Sequence, residues 1–167
     1  MRMRLRPYRQ GDGAYIVKWV DSQRIHTLWC ANQIAYPMTE ETFETGREAG
    51  IAKWGNSCFT ATDQAGTPVG YFQMSIHEAD NTAFMGYIIV DRVCRGMGYG
   101  QEMMELAKQY GFQLAGVGKL RLAAFDCNVQ AVNCYKKCGF IVIRYEADAF
   151  CYEQEIWGRY TLEACAA

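Results

Sequence analysis

Only two histidines, His26 and His77, occur in the 167 residues, and no Cys-x-x-Cys pair accompanies them. Cys127, Cys134 and Cys138 are spaced seven and four apart and lack a second close-set ligand pair, so no metal site is expected. An excess of charge of one sign is missing too. Seventeen basic against eighteen acidic residues leave a formal charge of −1. The basic residues are scattered except for Arg2, Arg4, Arg6 and Arg9, and alternate spacing sets the first three on one side of a strand, as a solvated face. Nucleic acid is therefore not an expected partner. No apolar run approaches the ~18 residues that would suggest a membrane span. The opening Met-Arg-Met-Arg-Leu-Arg-Pro lacks the apolar core of a signal peptide, so the expected location is the cytoplasm. In that compartment the eight cysteines are expected as reduced thiols packed like small apolar side chains.

What is present is the material of a packed fold: 50% of the residues are hydrophobic and 21% charged. With no repeat and no low-complexity linker, a chain of this length is expected to form one domain over residues 1–167. Met3 to Pro7 reads as an edge strand. Asp12 is placed to cap a helix with Tyr15, Ile16, Trp19 and Val20 on one face; a second helix is expected around Arg24 to Gln33, and a third from Thr39 to about Lys53. Strands follow at Ser57–Thr62 and Val69–His77 around a Gly/Pro-rich turn, then at Ala83–Val90, whose apolar run suits a central strand buried on both faces. A helix from Gly100 to about Gly116 carries Met103, Ala107, Tyr110 and Leu114 at spacings of four, three and four. Lys119–Phe125, Asn128–Lys137, Gly139–Glu146 and Glu155–Leu162 then read as strand, helix, strand and strand. The order implies a crossover with parallel pairing inside a mostly antiparallel sheet, hence an α/β or α+β class.

Two segments carry chemistry. In Val90-Asp91-Arg92-Val93-Cys94-Arg95-Gly96-Met97-Gly98-Tyr99-Gly100-Gln101, three glycines let the backbone turn and approach a ligand at a helix N-terminus, where a diphosphate is the natural guest. A dinucleotide fingerprint would need glycine in place of Gln101 and an acidic residue in Ala115–Leu120, and a P-loop would need Gly-Lys-Ser/Thr; none is there. About thirty residues on stand Asn128, Ala131, Tyr135, Gly139 and Phe140. Asn128 can cap a helix that Gly139 ends, and Ala131 permits close approach to a neighbour. A glycine turn that serves only helix–strand packing is the plain alternative.

Together the two segments resemble the GNAT acetyltransferases, whose loop pattern Arg/Gln-x-x-Gly-x-Gly/Ala is matched by Arg95, Gly98 and Gly100. The family's later helix is matched by Asn128, Ala131, Tyr135 and Gly139-Phe140. The resemblance implies the GNAT fold, a mixed sheet of about six to seven strands flanked by helices. It implies acetyl-CoA as acyl donor, held at its pyrophosphate by the amides of Arg95, Gly96, Met97, Gly98, Tyr99, Gly100 and Gln101. It implies pantetheine pairing along Ile88 and Val90, with a splay between that strand and the next admitting the thioester. Asn128 matches a residue contacting the pantetheine arm, and Tyr135 matches a tyrosine near the sulfur, where a phenol can protonate the departing thiolate. The partner would be an amine, from a small molecule or a peptide N-terminus, and a homodimer is allowed.

Direct attack by the amine competes with an acyl-cysteine route through Cys94, Cys127 or Cys134, which have no histidine nearby in sequence. The base is open among a water chain, Glu78, His77 and Asp126, because Ala123 and Ala124 stand on the strand where family members often place a glutamate. Trp19, Trp29, Tyr36, Phe43, Trp54, Phe150, Tyr152 and Trp157 could wall an acceptor pocket, although core packing is the default for most. A CoA-binding sensor without chemistry, or an unrelated α/β binding protein, are the alternative functions.

Overall fold

The computed structural model describes residues 2–167. Among these residues seven strands form one sheet. In chain order the elements are β1 (Arg4–Pro7), α1 (Gly13–Trp19), α2 (Gln23–Cys30), α3 (Glu40–Trp54), β2 (Ser57–Thr62), β3 (Pro68–His77), β4 (Thr82–Val90), α4 (Tyr99–Gln109), β5 (Lys119–Phe125), α5 (Val129–Lys137), β6 (Ile141–Tyr152) and β7 (Glu155–Cys165). Their spatial order is β1-β2-β3-β4-β5-β7-β6. Every pairing is antiparallel except β4 with β5, the crossover that α4 bridges. This is the mixed, mostly antiparallel sheet expected.

Strand alternation divides the core into two layers. Toward α4 and α5, Phe72, Met74, Ala83, Met85, Leu120, Leu122 and Leu162 pack on Met103, Met104, Ala107, Tyr135 and Phe140. Toward α1 to α3, Tyr71 and Ile89 meet Ile16, Trp19, Cys30, Ile34 and Phe43. α3 starts as the sequence suggests: Thr39 and Thr42 cap each other, Glu40 and Glu41 occupy the positive end, and Gly55 in the left-handed region ends it.

Several expectations are corrected. Asp12 precedes α1 but does not cap it. Its buried carboxylate instead accepts from Arg6 Nη1 and Nη2 at 2.8 and 2.9 Å, the Arg9 amide at 2.9 Å and Thr60 Oγ1 at 2.8 Å. Arg6 thereby leaves the solvated face assigned to the opening arginines. α2 stops at Cys30, short of Gln33, because Ala31 and Asn32 turn left-handed. The helix after the glycine segment is regular only to Gln109; a π turn over Tyr110–Leu114 adds a residue per turn and rotates Leu114 to 79% exposure. The same turn sets Gly111 against Leu120, where a Cβ would lie 2.8 Å from Cδ2. β6 runs six residues past its expected end, into the exposed, mixed-polarity outer part of its hairpin with β7, which has no clear period, and β7 runs three past its own, where Glu163, Ala164 and Cys165 pair with β5.

β4 is not buried on both faces along its length: Phe84 is exposed, and after Met85 every residue but Ile89 is half-buried. β5 pairs with it only from Thr82↔Lys119 to Met85↔Leu122, whereas β5 stays with β7 as far as Phe125. From Gly86 on, the edge of β4 that faces β5 is unpaired, which opens a wedge in the middle of the sheet. A β-bulge helps to cause it. Between Gln73↔Gly86 and Tyr71↔Ile89, Phe72 faces both Tyr87 and Ile88, and Tyr87 has φ 53°.

Candidate active site

Two clefts meet at this wedge. One, of about 480 Å³, runs from the glycine segment between β4 and α5. The other, of about 350 Å³, lies over β3, β4 and β5 beneath α2 and the end of α3. Leu28, Trp29, Gly86, Tyr87, Ala123 and Ala124 line both, so the two spaces join where β4 and β5 separate. The two alanines leave that junction open. Tyr87 is held there by its hydroxyl, which donates to Gln33 Oε1 at 2.7 Å, and by Trp29, whose ring lies edge-on at 5.6 Å. The indole Nε1–H of Trp29 is buried without an acceptor among the described residues.

The glycine segment enters the larger cleft as a short 3-10 turn over Arg92–Cys94 followed by α4. Gly96 and Gly98 adopt φ +75° and +85°, conformations a side chain disfavours, and Gly98 is the residue before the first turn of α4. The first intrahelical bond runs from the Glu102 amide to the Gly98 carbonyl. The amides of Tyr99, Gly100 and Gln101 thus point out of the helix start with no intrahelical acceptor, a concentration of donors with the positive end of the helix behind it. The Arg95 amide is already used, donating to Arg92 O at 3.3 Å, so the free cradle begins at Gly96.

The Arg95 side chain is an anchor. Its Nε donates to Val90 O at 3.0 Å and Nη2 to Trp19 O at 3.1 Å, tying the loop to β4 and α1. Burial lowers its pKa from the ordinary arginine value. From outside the loop, Arg2 donates to Met97 O at 2.9 Å and pairs with Glu102 at 3.2 Å, its guanidinium 4.2 Å above the Tyr99 ring. Glu102 also accepts from the Met3 amide at 2.8 Å.

Ile88, Val90, Arg95, Gly96, Gly98, Gly100, Gln101, Asn128 and Tyr135 all line the larger cleft. Met97 and Tyr99 do not; Met97 is exposed and Tyr99 lies under Arg2. Asn128 makes no cap to α5, contrary to expectation, because its backbone (φ −87°, ψ 65°) is not that of a cap; its side chain is left to the cleft. The Tyr135 ring is buried edge-on to Phe140, and its hydroxyl has no protein partner among the described residues. Burial, with the neighbouring Cys134 and Cys138 thiols, pushes this phenol well above the ordinary tyrosine pKa.

Of the three candidate bases, only His77 lines a cleft, with Nε2 3.1 Å from Ser75 Oγ. Asp126 is consumed by Tyr145 Oη at 2.8 Å and the Gly158 amide at 3.1 Å, and Glu78 sits on the exposed turn after β3. The cysteines divide similarly. Burial raises the Cys94 and Cys127 thiols, while a hydrogen bond with Cys138 holds Cys134, which lines the cleft, below an ordinary thiol. Neither histidine is bonded to these sulfurs: His26 contacts Cys30, and His77 contacts Ser75.

Among the aromatics, Trp29 and Trp54 line the clefts. Trp19 and Phe43 are core, and Phe150, Tyr152 and Trp157 stack on one another away from the junction. Residues missed at the sequence level are Tyr87, Gln33, Asn56, Gln73 and Arg159. Gln73 is almost fully buried, accepting from Asn56 Nδ2 at 2.7 Å and donating to Tyr71 Oη at 2.9 Å. A polar residue inside the apolar run of β3 was the available signal.

Residues 16–140 match the sequence model of the acetyltransferase (GNAT) family. No match to the chain is found among curated proteins. In structure it resembles a spermidine N-acetyltransferase from Vibrio cholerae in complex with CoA and spermine, with TM-score 0.83 and 19% identity over 98% of this chain and 95% of that one. A chimera of the Vibrio cholerae enzyme and hSSAT gives TM-score 0.81 and 18% identity over 99% and 96% of the two chains. The spermidine/spermine N-acetyltransferase from the same organism in complex with manganese ions gives 0.76 and 18% over 98% and 92%. At these identities the likeness is one of fold.

Proposed function

Because this chain belongs to the GNAT acetyltransferase family, we propose that it transfers the acetyl group of acetyl-CoA to a primary amine by direct attack in a ternary complex. The observation that carries this reading is the wedge: an unpaired β4 edge where a cleft reaching to the glycine loop joins a second cleft. Bound acetyl-CoA would supply an acetyl thioester and, after transfer, a leaving thiolate.

The residues present fit such a donor. Amides from Gly96 to Gln101 hold a pyrophosphate at the start of α4, with glycine at the two positions, 96 and 98, whose positive φ a side chain disfavours. Ile88 and Val90 offer main-chain partners along the free edge of β4, and Asn128 offers its amide from the opposite wall. N–H groups of that edge stabilise the oxyanion as the amine attacks. The Tyr135 phenol stays protonated until the C–S bond breaks, gives its proton to the leaving sulfur, and regains one from the attacking nitrogen as that becomes an amide. His77 pairs with Thr82, four positions before Gly86 and so roughly 13 Å from the junction; it takes the ammonium proton through water.

The test has two stages. Acetyl-CoA is expected to raise the melting temperature, and a primary-amine panel is expected to release free thiol with N-acetyl product. Stabilisation without thiol release from any amine would instead make the chain a CoA-binding sensor, and absence of stabilisation would overturn the donor assignment.

A further inference from the structure

On the reading just given, the smaller cleft receives the acceptor, and its chemistry restricts which amine that is. Among the described residues, no aspartate or glutamate lines either cleft. The charged side chains that do are cationic: Arg159 in the smaller cleft, Arg95 and Lys137 in the larger. Nearby carboxylates are already matched. Glu146 accepts from Arg159 at 3.1 Å and lies 3.6 Å from Arg144; Glu155 is held by Arg24; Asp126 is held by Tyr145 and Gly158.

An ammonium group drawn from water needs a counter-charge or a full set of acceptors. One amine can lose its proton as it reacts. The remaining charges of a polyamine cannot, and they would lie in a cleft walled by Trp54, Phe84 and Tyr87 with a guanidinium at its side. Arg159 is suited to the opposite sign. It is 38% exposed, sits on β7 opposite Phe125, and spends only Nη2 on Glu146, leaving the other guanidinium donors for an anion.

We infer that the acceptor is a monoamine with an aromatic or apolar body and an anionic group, of the amino-carboxylate class, and that Arg159 selects it. The amine points to the Gly86–Ala124 junction, the body lies against the aromatic wall, and the carboxylate reaches Arg159. The acceptor of this chain therefore differs from the spermine in the Vibrio cholerae complex.

The experiment compares three amines on the full chain: phenylalanine, phenylethylamine and spermidine. The expected order of kcat/KM is phenylalanine, then phenylethylamine, then spermidine. Arg159→Gln is expected to lower the phenylalanine-to-phenylethylamine ratio by about 10- to 100-fold, the loss of one or two charge-assisted hydrogen bonds, mainly through KM. Arg159→Lys should restore part of it. Retained thermal stabilisation by acetyl-CoA shows that each variant is folded and that the donor site stands. Spermidine preferred over both monoamines, or a ratio unchanged in Arg159→Gln, would overturn this inference and leave acetyl transfer intact. If no amine is acetylated, phenylalanine quenching of tryptophan fluorescence that weakens in Arg159→Gln still supports the assignment, and its absence refutes it. Loss of acetyl-CoA stabilisation in the parent would strike the proposed function itself.

Discussion

Replacing Tyr135 by phenylalanine separates packing from chemistry with few side effects. The ring is 7% exposed and packs on Phe140, contacts that phenylalanine keeps. The hydroxyl has no protein partner among the described residues, so its removal breaks no intramolecular hydrogen bond, and stability should change by less than about 1 kcal/mol. Under the proposed mechanism the same change removes the proton donor to the leaving sulfur. General-acid help is worth roughly 10²- to 10⁴-fold, and water in the cleft can replace part of it. The expected fall in kcat is therefore about ten- to a thousandfold, or roughly 1.4 to 4 kcal/mol, with acetyl-CoA affinity little changed. Because burial raises the phenol's pKa, its acidic form persists past the ordinary value near ~10, and no basic limb in the rate profile below that pH should belong to Tyr135. Steady-state and single-turnover rates, with melting curves for both proteins, decide the matter. An unchanged chemical step, or a loss of several kcal/mol in stability, would refute the reasoning.

Gly98→Ala is expected to cost about 1–2 kcal/mol, because φ +85° is strained for any side chain, and to reduce the thermal shift given by acetyl-CoA; a shift equal to the parent's would exclude the loop as the anion cradle. Asp12→Ala should destabilise by about 3 kcal/mol in urea melts by orphaning Arg6, and a loss below 1 kcal/mol would contradict the buried pair. Burial alone would raise the Asp12 pKa, but the bonds from Arg6, the Arg9 amide and Thr60 outweigh it and hold the value below normal. Its stabilisation is thus present above the unfolded-state value near ~4 and disappears as pH falls through the lower folded value, a slope that urea melts in acid should show for the parent and lose for the variant. Alanine at Cys94, Cys127 and Cys134 together should leave acetyl transfer within a few-fold; a protein thioester trapped from acetyl-CoA alone and competent to pass its acetyl group to an amine would restore the acyl-cysteine route.

Much of the fold was legible because its elements carry strong local periods. The stripe of α4, the capped start of α3 and the apolar runs of β3 and β4 all reported themselves. The glycine segment and the Asn128–Phe140 stretch located two walls of the larger cleft for the same reason: glycine and helix-end residues leave local signatures. The second cleft was hidden. Gln33 and Asn56 come from the loops after α2 and α3, Gln73 from β3 and Arg159 from β7, and only the tertiary fold brings them together. The failures share a cause in tertiary contact. Asp12 chose Arg6 and Thr60 over the helix end, and a π turn against Leu120 overrode the spacing that placed Leu114 inside.

The extra residue in β4 has a reach beyond its own turn. Before it, Phe84 and Gly86 face the smaller cleft while Ala83 and Met85 enter the α4 layer. After it the parity reverses: Tyr87 and Ile89 join the α1–α3 layer, and Ile88 and Val90 turn toward α4. The unpaired edge of the strand end, more than the faces it shows, depends on chain length here rather than on side-chain identity. Deleting one residue at Tyr87 would remove the bulge, leave Ile88, Ile89 and Val90 on their present faces, and invite β4 to zip onto β5 past Met85, closing the junction. Shortening the strand by a single codon is then expected to be more damaging than alanine at any of its positions, and alignments of related chains need their gap at the bulge to keep Val90 in register.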